Sequence, residues 1–248
     1  MENFPYDFQA YLKNKQTVTH KSRKGDITRK RLELATITAL SNCGYRDMKV
    51  SDICTLASVS SGAFYQYFEN KANVTLIVLE KFIEYLDQMY RKGKAQKTAF
   101  KTIYSANIEW LKCLRANPGL YRCILQVGDE FATFSHRVNQ INSEWYARIS
   151  KSVINNFPST EKSLDSVIPL AVYSLGAMMD EIGRKLVVYP DPNLAELIGT
   201  STPTDEALAE FLSLIWYRTL YGNEPEDFLH TSIATLLSGL HLPGTTEI

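Results

Sequence analysis

The 248 residues carry 27 basic and 27 acidic side chains, so the formal net charge is zero, and 45% of the residues are apolar. This composition is sufficient to bury a sizeable core, as one large domain or two smaller ones. No apolar run is long enough to cross a membrane, and the N-terminus lacks an apolar stretch followed by a cleavage site. We therefore expect a cytoplasmic protein with neither a membrane span nor a signal peptide.

The charges are distributed unevenly along the chain. Residues 1–95 hold 15 basic and 10 acidic side chains, whereas residues 96–248 hold 12 basic and 17 acidic ones. A basic end joined to an acidic remainder is typical of a protein that faces a polyanion with that end. Residues 1–25 are interpreted as a basic arm, either a solvated tail or a segment that contacts phosphates or a minor groove. The basic residues of this region are Lys13, Lys15, Lys21, Arg23, Lys24, Arg29, Lys30 and Arg31.

Nearly the whole chain shows the periodicity of α-helices, and no alternation typical of strands occurs. Gly44 and Gly93 are predicted to end helices, and Asn70 is predicted to cap one. Pro118 suits the first turn of another helix. In this half of the chain, helices are predicted over residues 27–43, 70–92, 97–116 and 118–127, with two short helices inside 50–68.

The second half continues the helical pattern. Asp129 is predicted to cap a long helix. The following helix, 163–187, is apolar on most sides, so we expect its own domain and a partner to bury it all round; Pro169 fits if this helix begins near Ser166. Residues 189–205 are predicted to be a long connection. The predicted helices of this half cover residues 130–157, 163–187, 204–221 and 225–240.

The segment VSDICTLASVSSGAFYQYF, residues 50–68, has the pattern of a helix-turn-helix. Two short helices fit here, joined by a tight turn at Ser58-Val59-Ser60. In such a motif the N-terminal end of the second helix enters the DNA major groove, and small residues let it approach base edges closely. Phe64 and Phe68 are predicted to be core residues, whereas Tyr65 either contacts DNA or packs in the core.

Residues around this motif match a known pattern in type and in spacing. The chain over residues 27–78 resembles the tetracycline-repressor (TetR) family of bacterial transcription regulators, and beyond residue 80 the resemblance is loose. It implies a homodimer with one DNA-binding head per subunit, an all-helical effector domain, and repression that a small molecule relieves. The matching residues are Arg29, Leu32, Gly44, Tyr45, Val50, Asp52, Ile53, Ala57, Val59, Ser60, Gly62, Tyr65, Phe68 and Lys71.

The resemblance also implies DNA contacts by position. Ser61, Gly62 and Tyr65 would face base edges, and the tyrosine ring edge suits a thymine methyl group. A lysine at a helix start can place its charge on a phosphate, as can backbone N–H groups there. The residues implied to face the phosphate backbone are Lys49, Ser51, Ser60, Gln66, Tyr67 and Lys71.

Three positions depart from the family pattern. Lys49 stands where a small hydroxyl residue is common. The lysine adds a charge that can bind the DNA phosphate backbone, but it removes the hydroxyl that would cap the helix. Ser58 stands where glycine is usual, at a cost of about 1 kcal/mol if the site needs a positive φ. Tyr67 stands where histidine is frequent.

A mostly apolar cavity is predicted among the helices at 97–116, 130–157 and 163–187, suited to a small, largely apolar or aromatic effector. Asp180 and Glu181 interrupt the last of these helices. A carboxylate there could anchor a polar group of the ligand, pair with Arg184 or Lys185, or face solvent. The predicted lining residues are Trp110, Phe131, Phe134, Trp145, Tyr173, Met178, Met179 and Asp180.

The predicted organisation is an all-α chain with a basic arm (1–25), a three-helix helix-turn-helix head (26–93) and a larger helical domain for ligand binding and dimerisation (94–248). Two other functions stay open: a DNA-binding regulator or activator without a small-molecule effector, and an enzyme or adaptor that borrows the fold. No catalytic or metal-binding motif occurs, so we expect neither enzymatic activity nor a cofactor. The cysteines, which lack Cys-x-x-Cys spacing, are predicted to be reduced, buried thiols, with a redox switch through Cys113 and Cys123 as the alternative.

Overall fold

A computed structural model describes residues 5–17, 24–92, 96–128, 130–156, 164–202, 204–222 and 225–227. Every regular element in these ranges is helical, which confirms the predicted all-α class. None of the helices described there is both long and apolar enough to cross a membrane. The helices are α1 (Phe8–Thr17), α2 (Lys24–Asp47), α3 (Val50–Ala57), α4 (Ser61–Phe64), α5 (Lys71–Lys92), α6 (Ala99–Ala116), α7 (Pro118–Gly128), α8 (Ala132–Asn156), α9 (Leu164–Gly183), α10 (Pro192–Ser201) and α11 (Asp205–Tyr221).

The chain forms two compact units, and one boundary between them follows Lys92, beside the boundary predicted near residue 93. Further boundaries fall inside α6 and α8, so that α7 and most of α8 group with the predicted head. We call the first the head unit and the other the second unit. The head unit contains residues 1–92, 113–148 and 187–189, and the second unit contains residues 93–112, 149–186 and 190–248.

Close packing of α7 on α2 explains why α7 belongs to the head unit. A Cβ atom added at Gly119 would lie 2.5 Å from the Cα atom of Ser41, so the two backbones touch where these helices meet. Leu120 and Cys123 of α7 lie in the same buried core as Leu40 of α2. The residues in contact are far apart in sequence, and a local pattern cannot indicate such packing.

Residues 8–17 of the predicted basic arm form α1. Phe8 is fully buried, with its ring 5.2 Å from that of Phe82 and 5.3 Å from that of Tyr85. Its backbone N–H donates to Asn117 Oδ1 at 2.9 Å. Apolar anchors therefore hold this part of the segment in the head core. The predicted arm residues 18–23 lie outside the described residues.

Local signals placed the ends of the head helices correctly. Gly44 has φ 73° and interrupts the helical backbone of α2, as predicted. Asn70 caps α5, since its Oδ1 accepts from the N–H of Asn73 at 2.9 Å. At its other end, α2 begins at Lys24, three residues before the predicted start at residue 27.

Two predictions for the long helices need correction. The helix α8 begins at Ala132, two residues later than expected, and the proposed cap Asp129 lies outside the described residues. Pro169 is the sixth residue of α9, not part of a first turn that starts near Ser166. The helix continues beyond Gly183 as a π-helical turn, Arg184–Val188.

The predicted connection 189–205 contains a helix, so that prediction was wrong. Asp191 caps α10 by accepting from the N–H of Asn193 at 3.0 Å, and Pro192 is its first residue. An Asp-Pro pair of this kind is a recognised start signal for a helix.

The second unit packs α11 against α9. Its polar interior includes a hydrogen bond from Asn107 Nδ2 to Ser213 Oγ at 2.9 Å. Within the single chain α9 is not buried on every face, since Val167, Leu170 and Tyr173 are exposed. The expectation that a partner buries the rest of this helix stays a prediction. The predicted helix at 225–240 is described only over 225–227, which are not helical.

Candidate nucleic-acid interface

The turn between α3 and α4 depends on a left-handed residue. Ser58 has φ 52° and ψ 51°, and it has the one positive φ among the non-glycine residues that the structure describes. Its N–H donates to the carbonyl of Thr55 at 3.1 Å, which completes the end of α3. A side chain in this conformation is strained, because Cβ crowds the backbone.

Ser58→Gly is therefore expected to raise the free energy of unfolding by up to about 1 kcal/mol, since glycine adopts this φ without strain. Urea denaturation monitored by circular dichroism measures the effect. Ser51→Gly is the matched control: Ser51 lies inside α3, where glycine should cost about 0.5–1 kcal/mol. The same sign for both variants would contradict the strain at Ser58.

The second helix of the motif, α4, is a single turn. Ser60 caps it, with Oγ accepting from the N–H of Ala63 at 3.2 Å. After α4 the chain forms a tight turn, in which the N–H of Tyr67 donates to the carbonyl of Phe64 at 2.9 Å. Phe64 and Phe68 are buried, as predicted for core residues. This short element leaves the small residues at its start exposed.

Tyr65 lies on the outer surface. Its side chain is 59% exposed, and its ring meets Phe64 edge-on with the centroids 5.3 Å apart. The alternative that Tyr65 packs in the core is therefore excluded. Ser61, Gly62 and Gln66 are exposed beside it. This surface presents small groups, hydroxyls and an amide, which can hydrogen-bond to base edges and phosphates.

The start of α3 also faces outward. Lys49 is exposed, and its backbone N–H donates to Asp52 Oδ2 at 2.8 Å. An ammonium group cannot accept a hydrogen bond, so the side-chain cap expected from a hydroxyl residue is absent here, as the departure from the family pattern indicated. Ser51 is exposed as well, while Tyr67 is only half-buried and lies beside Gly25 of α2.

Lys71 differs from the other predicted phosphate contacts. Its Nζ donates to three backbone carbonyls, those of Tyr45 at 3.0 Å, Arg46 at 3.1 Å and Met48 at 3.0 Å. The ammonium also lies 4.9 Å from the centre of the Tyr45 ring. An ammonium has three N–H donors, and this geometry uses all of them within the head. These bonds give Lys71 a structural role within the head, and its contact with a phosphate stays a prediction.

Two arginines of the basic region are also engaged within the head. Arg31 Nη2 donates to the carbonyl of Ala57 at 2.6 Å, which ties α2 to the end of α3. Arg29 lies 5.4 Å from the centre of the Phe68 ring and pairs with Glu33 at 3.6 Å. The sequence placed both in a basic segment that is either solvated or in contact with phosphates, because no local signal shows which carbonyl or ring lies opposite an arginine.

The same head matches a described protein family. A family model described as "Bacterial regulatory proteins, tetR family" matches residues 35–76, from the middle of α2 through the helix-turn-helix to the start of α5. The chain carries the head of a TetR-family transcriptional regulator. The resemblance inferred over residues 27–78 is thereby confirmed. Regulators of this family are DNA-binding proteins and not enzymes.

A solved structure shares the fold. The fatty acid degradation regulator FadR from Bacillus halodurans superposes with a TM-score of 0.55 at 15% sequence identity, covering 82% of this chain and 97% of that one. At this identity the likeness shows the fold alone. A search of curated proteins finds no match.

The predicted ligand-lining residues fall in both units of the chain. Phe131 and Phe134 line a groove of about 650 Å³ in the head unit. Trp145, also in the head unit, stacks near Tyr90 with the ring centroids 5.1 Å apart. The remaining five belong to the second unit: Met179 is buried, Trp110 and Met178 are half-buried, and Tyr173 and Asp180 are exposed.

One of the two adjacent carboxylates near the end of α9, Asp180 and Glu181, pairs with an arginine of the π-helical turn that follows. Glu181 binds Arg184 with both oxygens, at 2.7 Å from Nε and 2.7 Å from Nη2. The prediction that a carboxylate here pairs with Arg184 thus holds for Glu181. Asp180 is exposed, and its role as a ligand anchor stays a prediction.

The cysteines are free thiols. Cys54, Cys113 and Cys123 are buried as predicted, but Cys43 is exposed at the surface. Burial raises the pKa of both Cys113 and Cys123 to about 11. Thiols that stay protonated at neutral pH are poor nucleophiles, which argues against the redox switch.

Proposed function

We propose that this regulator is a cytoplasmic homodimeric repressor that binds a palindromic operator and that a small molecule releases from DNA. The observation that carries the proposal is the exposed surface at the start of α4. Ser61, Gly62 and Tyr65 are presented there by a helix end whose large neighbours, Phe64 and Phe68, are buried in the core. A helix end of this shape can approach base edges.

The dimer is supported by the exposed face of α9. Val167, Leu170 and Tyr173 recur every third residue and are 54%, 68% and 47% exposed. Large apolar side chains in such a row favour burial against a partner. In a dimer with two-fold symmetry, the two heads would read inverted half-sites in successive major grooves, so the operator would be palindromic.

A second candidate is a regulator or activator without an effector. The groove lined by Phe131 and Phe134 favours the effector-controlled version, because a regulator without a ligand has no need of a concave surface beside its head. A reporter gene placed behind the operator distinguishes repression from activation by the sign of the change.

Selection of bound sequences from random DNA tests the proposal, with sedimentation of the protein alongside. We expect a palindromic site bound by a dimer. Tyr65→Ala should weaken binding to that site by about 1–3 kcal/mol and leave binding to random DNA nearly unchanged, because a base contact contributes only at the matching sequence.

Tyr189→Ala is the matched control, since Tyr189 is exposed but lies outside the helix-turn-helix. It should bind both DNAs like the unaltered protein. Equal losses on specific and random DNA for Tyr65→Ala would remove this residue from base recognition. A monomer at micromolar concentration, or a site without symmetry, would refute the dimeric mode.

A further inference from the structure

The groove in the head unit is formed by one face of α5, by Glu130 and Phe131 before α8, and by the N-terminal part of α8. Its volume is about 650 Å³. The side chains from α5 occur at spacings of three and four, as expected for a single helical face. The apolar part of its lining comes from Leu76, Ile83, Phe131, Phe134 and Ile141.

The charged part of the lining is predominantly acidic. Glu80 and Glu84 are four residues apart on α5, and Glu130 comes from the segment before α8. Arg137 is the basic residue of the lining, so the formal charge of the groove is negative. Among the described residues, neither Glu80 nor Glu84 takes part in a salt bridge, whereas Arg137 donates to Gln140 at 3.3 Å.

Helix stability does not account for the two α5 carboxylates. Like charges four residues apart destabilise a helix by about 0.2–0.5 kcal/mol. A cation placed between them relieves this repulsion, and aromatic rings beside it add attraction through their faces. The lining therefore combines a binding surface for an apolar body with an attraction for positive charge.

The groove is connected directly to the end of α2. Glu130 Oε1 accepts from the hydroxyl of Tyr45 at 3.4 Å, and the ring of Phe131 meets that of Tyr45 edge-on at 6.4 Å. The carbonyl of Tyr45 is one of the three that Lys71 holds. A ligand that binds Glu130 and Phe131 is therefore one contact away from Tyr45. Tyr45 lies at the end of α2, where the chain leads into the helix-turn-helix.

We propose that this groove binds an organic cation with an aromatic or aliphatic body, held by Glu80, Glu84 and Glu130 over an apolar floor. Its role as the effector site rests on the proposed function, but binding to the groove does not. A ligand that draws Glu130 away from Tyr45 changes the support of the helix-turn-helix, and by linkage operator DNA lowers the affinity for that ligand.

Calorimetry with tetraphenylphosphonium and tetraphenylborate tests the charge selectivity of the groove. The two ions have nearly the same size and shape but opposite charge. We expect the cation to bind at least about tenfold more tightly, with an affinity that falls as ionic strength rises, because solvent-exposed carboxylates are screened by salt.

A double variant, Glu80→Gln with Glu84→Gln, locates the site. Both side chains are exposed, so the double variant should fold normally and lose about fivefold or more in affinity for tetraphenylphosphonium. Glu196→Gln is the matched control, since Glu196 is an exposed glutamate of α10 in the second unit. It should bind the cation as tightly as the unaltered protein does.

Each contrary result has a distinct meaning. Equal affinity for the two ions, no detectable cation binding, or an unchanged affinity in the double variant would overturn the proposal. A change in sedimentation on altering Glu80 and Glu84 would make a second copy of the chain the occupant, and would also overturn it. Cation binding through these glutamates without any operator binding would leave the site intact and refute the proposed repressor function instead.

Discussion

Gly119→Ala is expected to lower the free energy of unfolding by about 1–2 kcal/mol, although alanine is the better helix former. The added Cβ would lie 2.5 Å from Ser41 Cα and 3.1 Å from Ser41 Cβ. The first of these atoms is backbone, so no side-chain rotation relieves the overlap, and α2 and α7 must separate. Overpacking of this kind costs typically 1–3 kcal/mol and exceeds the gain of about 1 kcal/mol in helix propensity.

Two further variants separate packing from propensity. Gly199 lies in α10 with no atom within 4 Å of its added Cβ, so Gly199→Ala should be neutral or stabilise by up to about 1 kcal/mol. Ser41→Gly should not rescue Gly119→Ala, because Ser41 Cα remains in place. Urea denaturation of the four proteins measures these differences. If Ser41→Gly restored the stability of Gly119→Ala, or if the two alanine substitutions had equal effects, the overlap with the Ser41 backbone would not be the cause of the destabilisation.

The helix-turn-helix could be predicted from the sequence because its determinants are local. Gly44 ends a helix, Asn70 caps another, and Ser58 stands in a tight turn; each acts on residues within four positions of itself. Burial of Phe64 and Phe68 also followed from spacing along one helix. Such short-range effects are what a pattern of residue types can show.

Long-range packing explains most of what the sequence did not show. The basic composition of the N-terminus obscured Phe8, whose partners Phe82 and Asn117 are distant in sequence. The same holds for the contact between Gly119 and Ser41, which assigns α7 to the head unit. By contrast, α10 was missed although Asp191 and Pro192 gave a local signal, because the surrounding residues were interpreted as one long connection.

The groove in the head unit differs from the cavity that the sequence predicts. Phe131 and Phe134 line it, but its other wall is α5 and not the helices at 97–116 and 163–187. The sequence did not single out the glutamates of α5, because their periodicity is that of a solvated helix face. Only the fold brings that face opposite Phe131.

Lys71→Met is expected to lower the free energy of unfolding by about 2–4 kcal/mol. Methionine keeps the length of the side chain but removes all three donors, which leaves the carbonyls of Tyr45, Arg46 and Met48 without this partner. Each hydrogen bond to a charged group contributes about 1.5–3 kcal/mol, and water compensates part of the loss at this half-buried site. Chemical denaturation at fixed pH measures the change.

Lys49→Met is the control that separates this structural role from binding to a phosphate. Lys49 is exposed, so its replacement should leave the unfolding free energy within about 0.5 kcal/mol of the original. It should weaken binding to every DNA sequence and lower the salt slope of log K by about one unit, because one phosphate contact is lost. Lys71→Met, measured where it remains folded, should keep the full salt slope, since its ammonium is committed to carbonyls at 3.0–3.1 Å. A Lys71→Met protein that is as stable as the original and has a reduced salt slope of log K would contradict the structural role. Lys71 would then bind a phosphate of the DNA and not the end of α2.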